Sequence, residues 1–141
     1  MRTNVTVAAV LLGLACAGAA RAEDGLASAL EKVSTDQIAA FNRKDVAATM
    51  SYADTKSPTY DAAKAMLTED FKHQNLKAEQ VSFQYIGHDD EFAYARVKVK
   101  VTSPGTKDFQ DNVVDTVTLF HQEGGSWKVW DAYLIGGTLE K

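Results

Sequence analysis

Asp131 is the residue whose predicted surroundings favour chemistry most. It lies on the last predicted strand, on a face that the alternation of the sequence also assigns to Thr116, Thr118 and Tyr133. A carboxylate shielded from water on such a face can act as a general base or bind a polar group of a substrate. The alternative is structural: Asp131 accepts hydrogen bonds from Thr116, Thr118 or a backbone amide and only satisfies the floor of a pocket.

Two other carboxylates are weaker candidates. Asp54 follows the second predicted helix and begins a turn, which favours capping or solvation over catalysis. Asp115 is predicted on the opposite face near Arg96, where an exposed ion pair contributes at most about 1 kcal/mol. Because that face points away from Asp131, the sequence argues against a mechanism with two carboxylates.

The histidines and glycines do not form a recognisable site. His73, His88 and His121 lie on a predicted helix, a turn and a strand, without the close spacing of metal ligands. We expect His88 to be exposed and His121 to lie at an edge or an interface. The pairs at 124–125 and 136–137 are turn signals without a following helix, unlike a phosphate-binding loop. The sequence therefore predicts no metal and no cofactor.

Aromatic side chains suggest a binding pocket. Trp127, Tyr133 and Tyr52 could form apolar walls with polar tips, which suits a flat or hydrophobic ligand. The alternative is that they only fill the core. Together with the polar residues above, they complete the predicted ligand-binding set: Asp131, Tyr133, Thr118, Thr116, Trp127 and Tyr52.

The first half of the chain has helical periodicity. Leu26, Leu30 and Val33 recur at spacings of three and four, which predicts a helix over 25–42. Asp45 is placed to cap a second, short helix. Ser57 precedes a proline, which predicts a break, and a third helix follows over residues 59–76.

The second half alternates with a period of two. Turn-forming residues separate its segments, and such short connections make neighbouring strands antiparallel. The sequence therefore predicts an α+β fold, with three N-terminal helices packed on a four-stranded meander. The predicted strands are 80–87, 91–102, 109–122 and 126–135.

A two-residue hairpin turn at 124–125 would fix the pairing of the last two strands. It places Asp131 and Tyr133 on one face with Thr116 and Thr118; we call this the inner face and expect it to meet the helices. The opposite, outer face is too apolar for a surface left in water, which is typical of an interface. We expect a homodimer through its apolar residues: Phe92, Tyr94, Val117, Leu119, Trp130 and Leu134. One β-bulge would exchange the two faces beyond it.

Residues 1–22 have the layout of a secretory signal peptide. Arg2 precedes an uncharged apolar run from Val5 to Ala20, and Ala20 and Ala22 are small residues of the kind a signal peptidase accepts. A membrane anchor would need a longer apolar core, and lipidation at Cys16 would need a different preceding sequence. We predict cleavage near Ala22, a mature domain over 23–141, no stable membrane anchor, and a periplasmic or secreted location.

Charge narrows the classes of partner. The chain has 15 Lys and Arg against 19 Asp and Glu, a net charge of −4. Cleavage removes Arg2 and Arg21, which leaves −6, and it also removes Cys16, the only cysteine. Such acidity argues against nucleic acid as a partner.

Several short motifs resemble the NTF2-like superfamily, which includes SnoaL-like and ketosteroid-isomerase-like proteins. They are Ala39-Ala40-Phe41-Asn42-Arg43-Lys44-Asp45, Tyr52-Ala53-Asp54 and Gly125-Ser126-Trp127-Lys128-Val129-Trp130-Asp131. The resemblance extends from about Leu26 to Ile135. It implies a curved sheet wrapped around a long helix to form a cone with a pocket, often dimerised through the outer face.

The catalytic members of that superfamily give less guidance. Isomerase-like enzymes have a general-base carboxylate after the second helix, and the related dehydratases use a His and Asp pair. Here only residues 55–58 separate Asp54 from the predicted third helix. That stretch leaves no room for the strand that carries the isomerase base, so we assign its role to no residue. Three hypotheses follow: a non-catalytic domain that binds a small, partly apolar ligand or a protein; an isomerase-, dehydratase- or hydrolase-like enzyme with Asp131 as base; and a pure association module.

Overall fold

Three helices and four strands follow one another in the order expected from the sequence. A computed structural model describes residues 13–139, with the side chains described from residue 21 onward. The predicted signal peptide therefore lies largely outside the described side chains, and its residues 1–12 lie outside the described residues altogether. The elements are α1 (Gly13–Asn42), α2 (Val46–Met50), α3 (Tyr60–His73), β1 (Lys77–His88), β2 (Phe92–Thr102), β3 (Asn112–Glu123) and β4 (Ser126–Leu139).

The helix ends follow local chemistry. The Asp45 carboxylate accepts from the amide of Ala48 at 2.9 Å, which confirms the predicted cap of α2. Helix α1 begins twelve residues before the predicted start, because the segment before Gly25 is rich in alanine, the residue with the strongest helix propensity. Among the described residues, no helix is long and apolar enough to cross a membrane.

The sheet is an antiparallel meander in the order β1-β2-β3-β4, so β1 and β4 are its edges. Gly124 and Gly125 have positive φ angles of 59° and 80°, which are the angles that a two-residue hairpin turn requires. Glu123 pairs with Ser126 across this turn, as predicted.

The core lies between α1 and the inner face of the sheet. Ala93 pairs with Phe120 and Ala95 pairs with Thr118, which confirms the predicted common face of β2 and β3. Leu30 of α1 covers this face, and Leu30 and Phe120 are fully buried. The two alanines leave the space that the larger side chains fill.

The predicted faces of β4 are wrong beyond Val129. Val129 pairs with Phe120 and Asp131 pairs with Leu119, so Trp130 is an extra residue in a β-bulge. Because side chains alternate, one extra residue turns all that follow to the other side. Asp131 and Tyr133 therefore lie on the outer face rather than beside Thr116 and Thr118.

Leu134 also lies on the face opposite to the one predicted for it. It pairs with Thr116, which places it on the inner face instead of the outer face, and its exposed fraction is 69%. A second bulge at Ile135 then reverses the faces again, and Gly136 pairs with Asp115. The order of the four strands was predictable, but the face on which each side chain of β4 lies was not.

Helix α3 is held against the end of α1 by aromatic rings. Phe41 and Phe71 meet edge to face, with their centroids 5.1 Å apart. The Lys44 amine lies over both rings, 5.3 Å from Phe41 and 5.1 Å from Phe71. Burial, together with the nearby charge of Lys77, lowers the pKa of this amine. This contact fixes one end of the helix that forms a wall of the candidate site.

Candidate functional site

A cleft of about 470 Å³ opens between α3 and β4. Its volume falls within the range of small-molecule sites, roughly 300–1,000 Å³. The lining is mainly apolar, and a few polar groups are placed around it. The lining residues are Gln37, Met50, Ala53, Ser57, Thr59, Tyr60, Ala62, Ala63, Met66, Leu67, Val129, Trp130, Asp131 and Ala132.

Residues 53–59, within the segment that joins α2 to α3, form one border of the cleft; we call them the rim segment. Ala53 forms a single parallel bridge with Val129 at the β4 edge. The Val129 amide donates to the Tyr52 carbonyl, and the Asp54 amide donates to the Val129 carbonyl, each at 2.8 Å. These bonds place Ala53, Ser57 and Thr59 in the cleft wall.

A buried carboxylate and an imidazole meet behind the rim segment. The Asp54 side chain is fully buried, and its Oδ2 lies 2.6 Å from Nδ1 of His121, whose side chain is 19% exposed. The other carboxylate oxygen accepts from the Lys56 amide at 2.8 Å. Of the two outcomes expected for Asp54, solvation is wrong because the side chain is fully buried, whereas its bond to the Lys56 amide caps the turn.

His121 also belongs to a cluster of three rings on the outer face. Its centroid lies 5.3 Å from that of Phe92 and 5.2 Å from that of Trp130, and Phe92 and Trp130 are 5.5 Å apart. The rings are tilted or edge to face, the arrangements that aromatic quadrupoles favour. The extra residue of the first bulge thus packs on the imidazole that holds Asp54.

Of the predicted ligand-binding set, only Asp131 borders the cleft. Its carboxylate accepts from the amide of the next residue, Ala132, at 2.8 Å. Thr116 donates to the Val97 carbonyl at 3.2 Å, and its hydroxyl lies 3.2 Å from that of Thr118. These two hydroxyls satisfy the sheet rather than Asp131.

The aromatic members of the set are separated from one another. Trp127 packs against the core, Tyr52 meets β4 through its backbone, and Tyr133 is 54% exposed on the outer face. Their part in ligand binding stays a prediction. Sequence reasoning missed His121 as the partner of Asp54, because 67 residues separate the two.

The outer face also carries an ion pair, formed by Arg96 and Asp115, among its apolar residues. Arg96 donates two hydrogen bonds to Asp115, at 2.9 and 2.6 Å, as the sequence indicated. These bonds hold the pKa of the Asp115 carboxyl below its ordinary value. Among the described residues, no group of three or more His, Cys, Asp and Glu side chains is arranged to hold a metal ion.

The sequence of residues 32–135 matches the family described as the C-terminal domain of the anti-sigma-I factor RsgI9. The chain belongs to this family. No curated protein matches it. The match covers α2, α3, the whole cleft and all but the last four residues of β4, so the RsgI9 C-terminal family includes every element of the candidate site.

Solved structures of the same shape include an NTF2-like protein. A scytalone dehydratase candidate from Novosphingobium aromaticivorans is 15% identical with a TM-score of 0.63, covering 81% of this chain and 87% of its own. An NTF2-like protein of unknown function from Pseudomonas putida is 12% identical with a TM-score of 0.64, covering 79% and 86%. A conserved protein from Planctomyces limnophilus is 15% identical with a TM-score of 0.65, covering 84% and 98%. This member of the RsgI9 C-terminal family therefore has the NTF2-like cone fold that its motifs indicated.

Proposed function

We propose that the protein is a non-catalytic domain that binds a small, partly apolar ligand in the cleft between α3 and β4. The observation that carries this proposal is the lining: apolar side chains such as Met50 and Leu67 form the walls, while Gln37, Ser57 and Thr59 supply a few polar groups. That combination is typical of small-molecule sites, where apolar area gives affinity and a few polar groups give orientation.

The family supports binding rather than catalysis. Its description is that of the C-terminal domain of an anti-sigma-I factor and names no reaction. Asp131 is the only carboxylate in the cleft lining, and a backbone amide already occupies one of its oxygens. In the enzymatic alternative Asp131 would act as the base from its place in the cleft lining.

A substitution that fills the cleft tests the proposal. Ala63 of α3 lines the cleft, whereas Ala65 of the same helix is exposed and lies outside it. We expect Ala63→Trp to weaken binding of the neutral fluorescent probe 1-N-phenylnaphthylamine at least tenfold, because the indole occupies the probe's volume. Ala65→Trp adds the same indole outside the cleft and should leave the affinity unchanged. Equal binding by both variants, or no binding by the wild type, would contradict the proposal.

The outer face favours a second function, self-association. Phe92, Tyr94, Val117 and Leu119 lie there as predicted, and the Trp130 ring joins them through Phe92. We infer a homodimer through this face, since a contiguous apolar patch is more often an interface than a free surface.

Light scattering at micromolar concentration tests the dimer. The wild type should have twice the mass of the chain, and Leu119→Arg should halve it by placing a charge in the interface. Val81→Arg, on the exposed bulge of β1, should leave the dimer intact. A monomeric wild type would disprove the association.

We also propose that the protein is exported and cleaved after Ala22. Among the side chains described, Leu26 is the first of α1 that packs against the core, and it lies beyond the proposed cleavage site. We expect the chain recovered from the envelope or medium of its host to begin at Glu23 by intact mass. An unprocessed cytoplasmic chain would contradict export.

A further inference from the structure

We propose that His121 is a positioning residue for the cleft, although it lines no part of it. This inference rests on the proposed binding function and adds to it the device that sets the geometry of the site. The observation behind it is that His121 contacts two cleft-forming parts of the chain, the rim segment through Asp54 and the bulge through Trp130.

The first contact is the hydrogen bond to Asp54. We assign the proton to Nδ1 of His121, which then donates to Oδ2 of Asp54 across the 2.6 Å that separates the two atoms. The other oxygen, Oδ1, already accepts from the Lys56 amide. A fully buried carboxylate with two donors has one preferred orientation, and any motion of Asp54 leaves an unpaired polar group away from water.

Asp54 transmits this constraint to the cleft wall. Its backbone amide binds Val129, and its carbonyl accepts from the Ser57 amide at 3.1 Å. The side chains of Ala53 and Ser57, on either side of it, line the cleft. A fixed orientation of the Asp54 carboxylate therefore also fixes the position of the rim segment at the border of the cleft.

The second contact is with Trp130, whose ring lies edge to face on the imidazole. Trp130 lines the cleft at the bulge that separates Val129 from Asp131. The imidazole of His121 therefore contacts both the rim segment, through Asp54, and the bulge of β4, through Trp130. A bulky apolar ring at this position could keep the packing on Trp130, but it could not donate to Asp54.

That distinction gives the decisive variant, His121→Phe. It keeps a ring against Phe92 and Trp130 and removes the Nδ1 donor. We expect the affinity for 1-N-phenylnaphthylamine to fall at least fivefold and hydrogen exchange at the Asp54 and Ser57 amides to accelerate at least tenfold. Exchange at Ala95, in the middle of the sheet, should be unchanged while the protein remains folded.

The matched control is a second set of hydrogen bonds made by the same rim segment. The Thr55 hydroxyl and amide donate to Glu123, and this pair is exposed. Thr55→Val removes the hydroxyl, and we expect less than a twofold change in affinity, because water replaces an exposed donor. A nitrogen NMR spectrum of the wild type should show the His121 proton on Nδ1.

If His121→Phe does not fold, Asp54→Ala serves instead. Alanine removes both side-chain oxygens, so both the Lys56 and the His121 bonds are lost, and the same changes are expected. A folded variant with wild-type affinity and wild-type exchange at Asp54 and Ser57 overturns the positioning role. If the wild type binds no probe, the proposed function fails, whereas the exchange rates still decide the role of His121.

Discussion

Replacing Phe120 by alanine should lower the free energy of unfolding by about 3–5 kcal/mol, the usual cost of a large cavity in a core. Phe120 is fully buried on the inner face, opposite Ala93 and in the cluster with Leu30. Alanine leaves a cavity beside Ala93, which is small, and Leu30, which the helix holds in place. The surrounding side chains therefore cannot move in to fill it.

Urea unfolding followed by tryptophan fluorescence measures this loss, with the slope of the transition kept as a check on two-state behaviour. Val81→Ala is a suitable control, because Val81 is exposed on the bulge of β1. Its cost should stay within about 0.5 kcal/mol. A cost below about 1 kcal/mol for Phe120→Ala would mean that the helices do not cover the inner face.

Replacing His121 by leucine should cost about 3 kcal/mol. Leucine removes the donor from the fully buried Asp54 carboxylate, and a charged group left unpaired in the interior is strongly destabilising. The loss of ring packing on Phe92 and Trp130 adds to it. Thermal and urea unfolding should agree on the sign and the size.

His88→Leu is the comparison for that result. His88 also makes a 2.6 Å contact through Nδ1, to the Tyr85 hydroxyl, but it is exposed. Water replaces the lost partner there, so the change should be within about 0.5 kcal/mol. Equal costs for the two histidines would show that burial of Asp54 carries no penalty.

Most of the architecture was predictable because local signals agreed with one another. The alternation of Ala93, Ala95 and Val97 fixed the inner face of β2, and Gly124-Gly125 fixed the turn that starts β4. The bulge at Trp130 was not predictable. A tryptophan is a good strand residue, and nothing in its neighbours marks an extra position.

The candidate site depended on contacts that a sequence does not display. Asp54 resembles a turn residue in its own segment, and His121 resembles an ordinary strand residue in another. They meet only because Ala53 pairs with Val129 and draws the rim segment along β4. A carboxylate in a short loop between two helices is a weak signal for a buried site, and only the fold brings His121 to it.

The bulge at Trp130 makes the pairing of the last strand, and not its composition, decide which side chains face the cone. If Trp130 paired with Leu119, Asp131 would pair with Thr118, so Asp131 and Tyr133 would lie on the inner face and Leu134 on the outer face. A shift of one position in the pairing therefore separates this strand from one that points an acid and a phenol into the cone. Deleting Trp130 would leave Val129 and Asp131 opposite Phe120 and Leu119, so we expect a variant without Trp130 to keep both faces as they are.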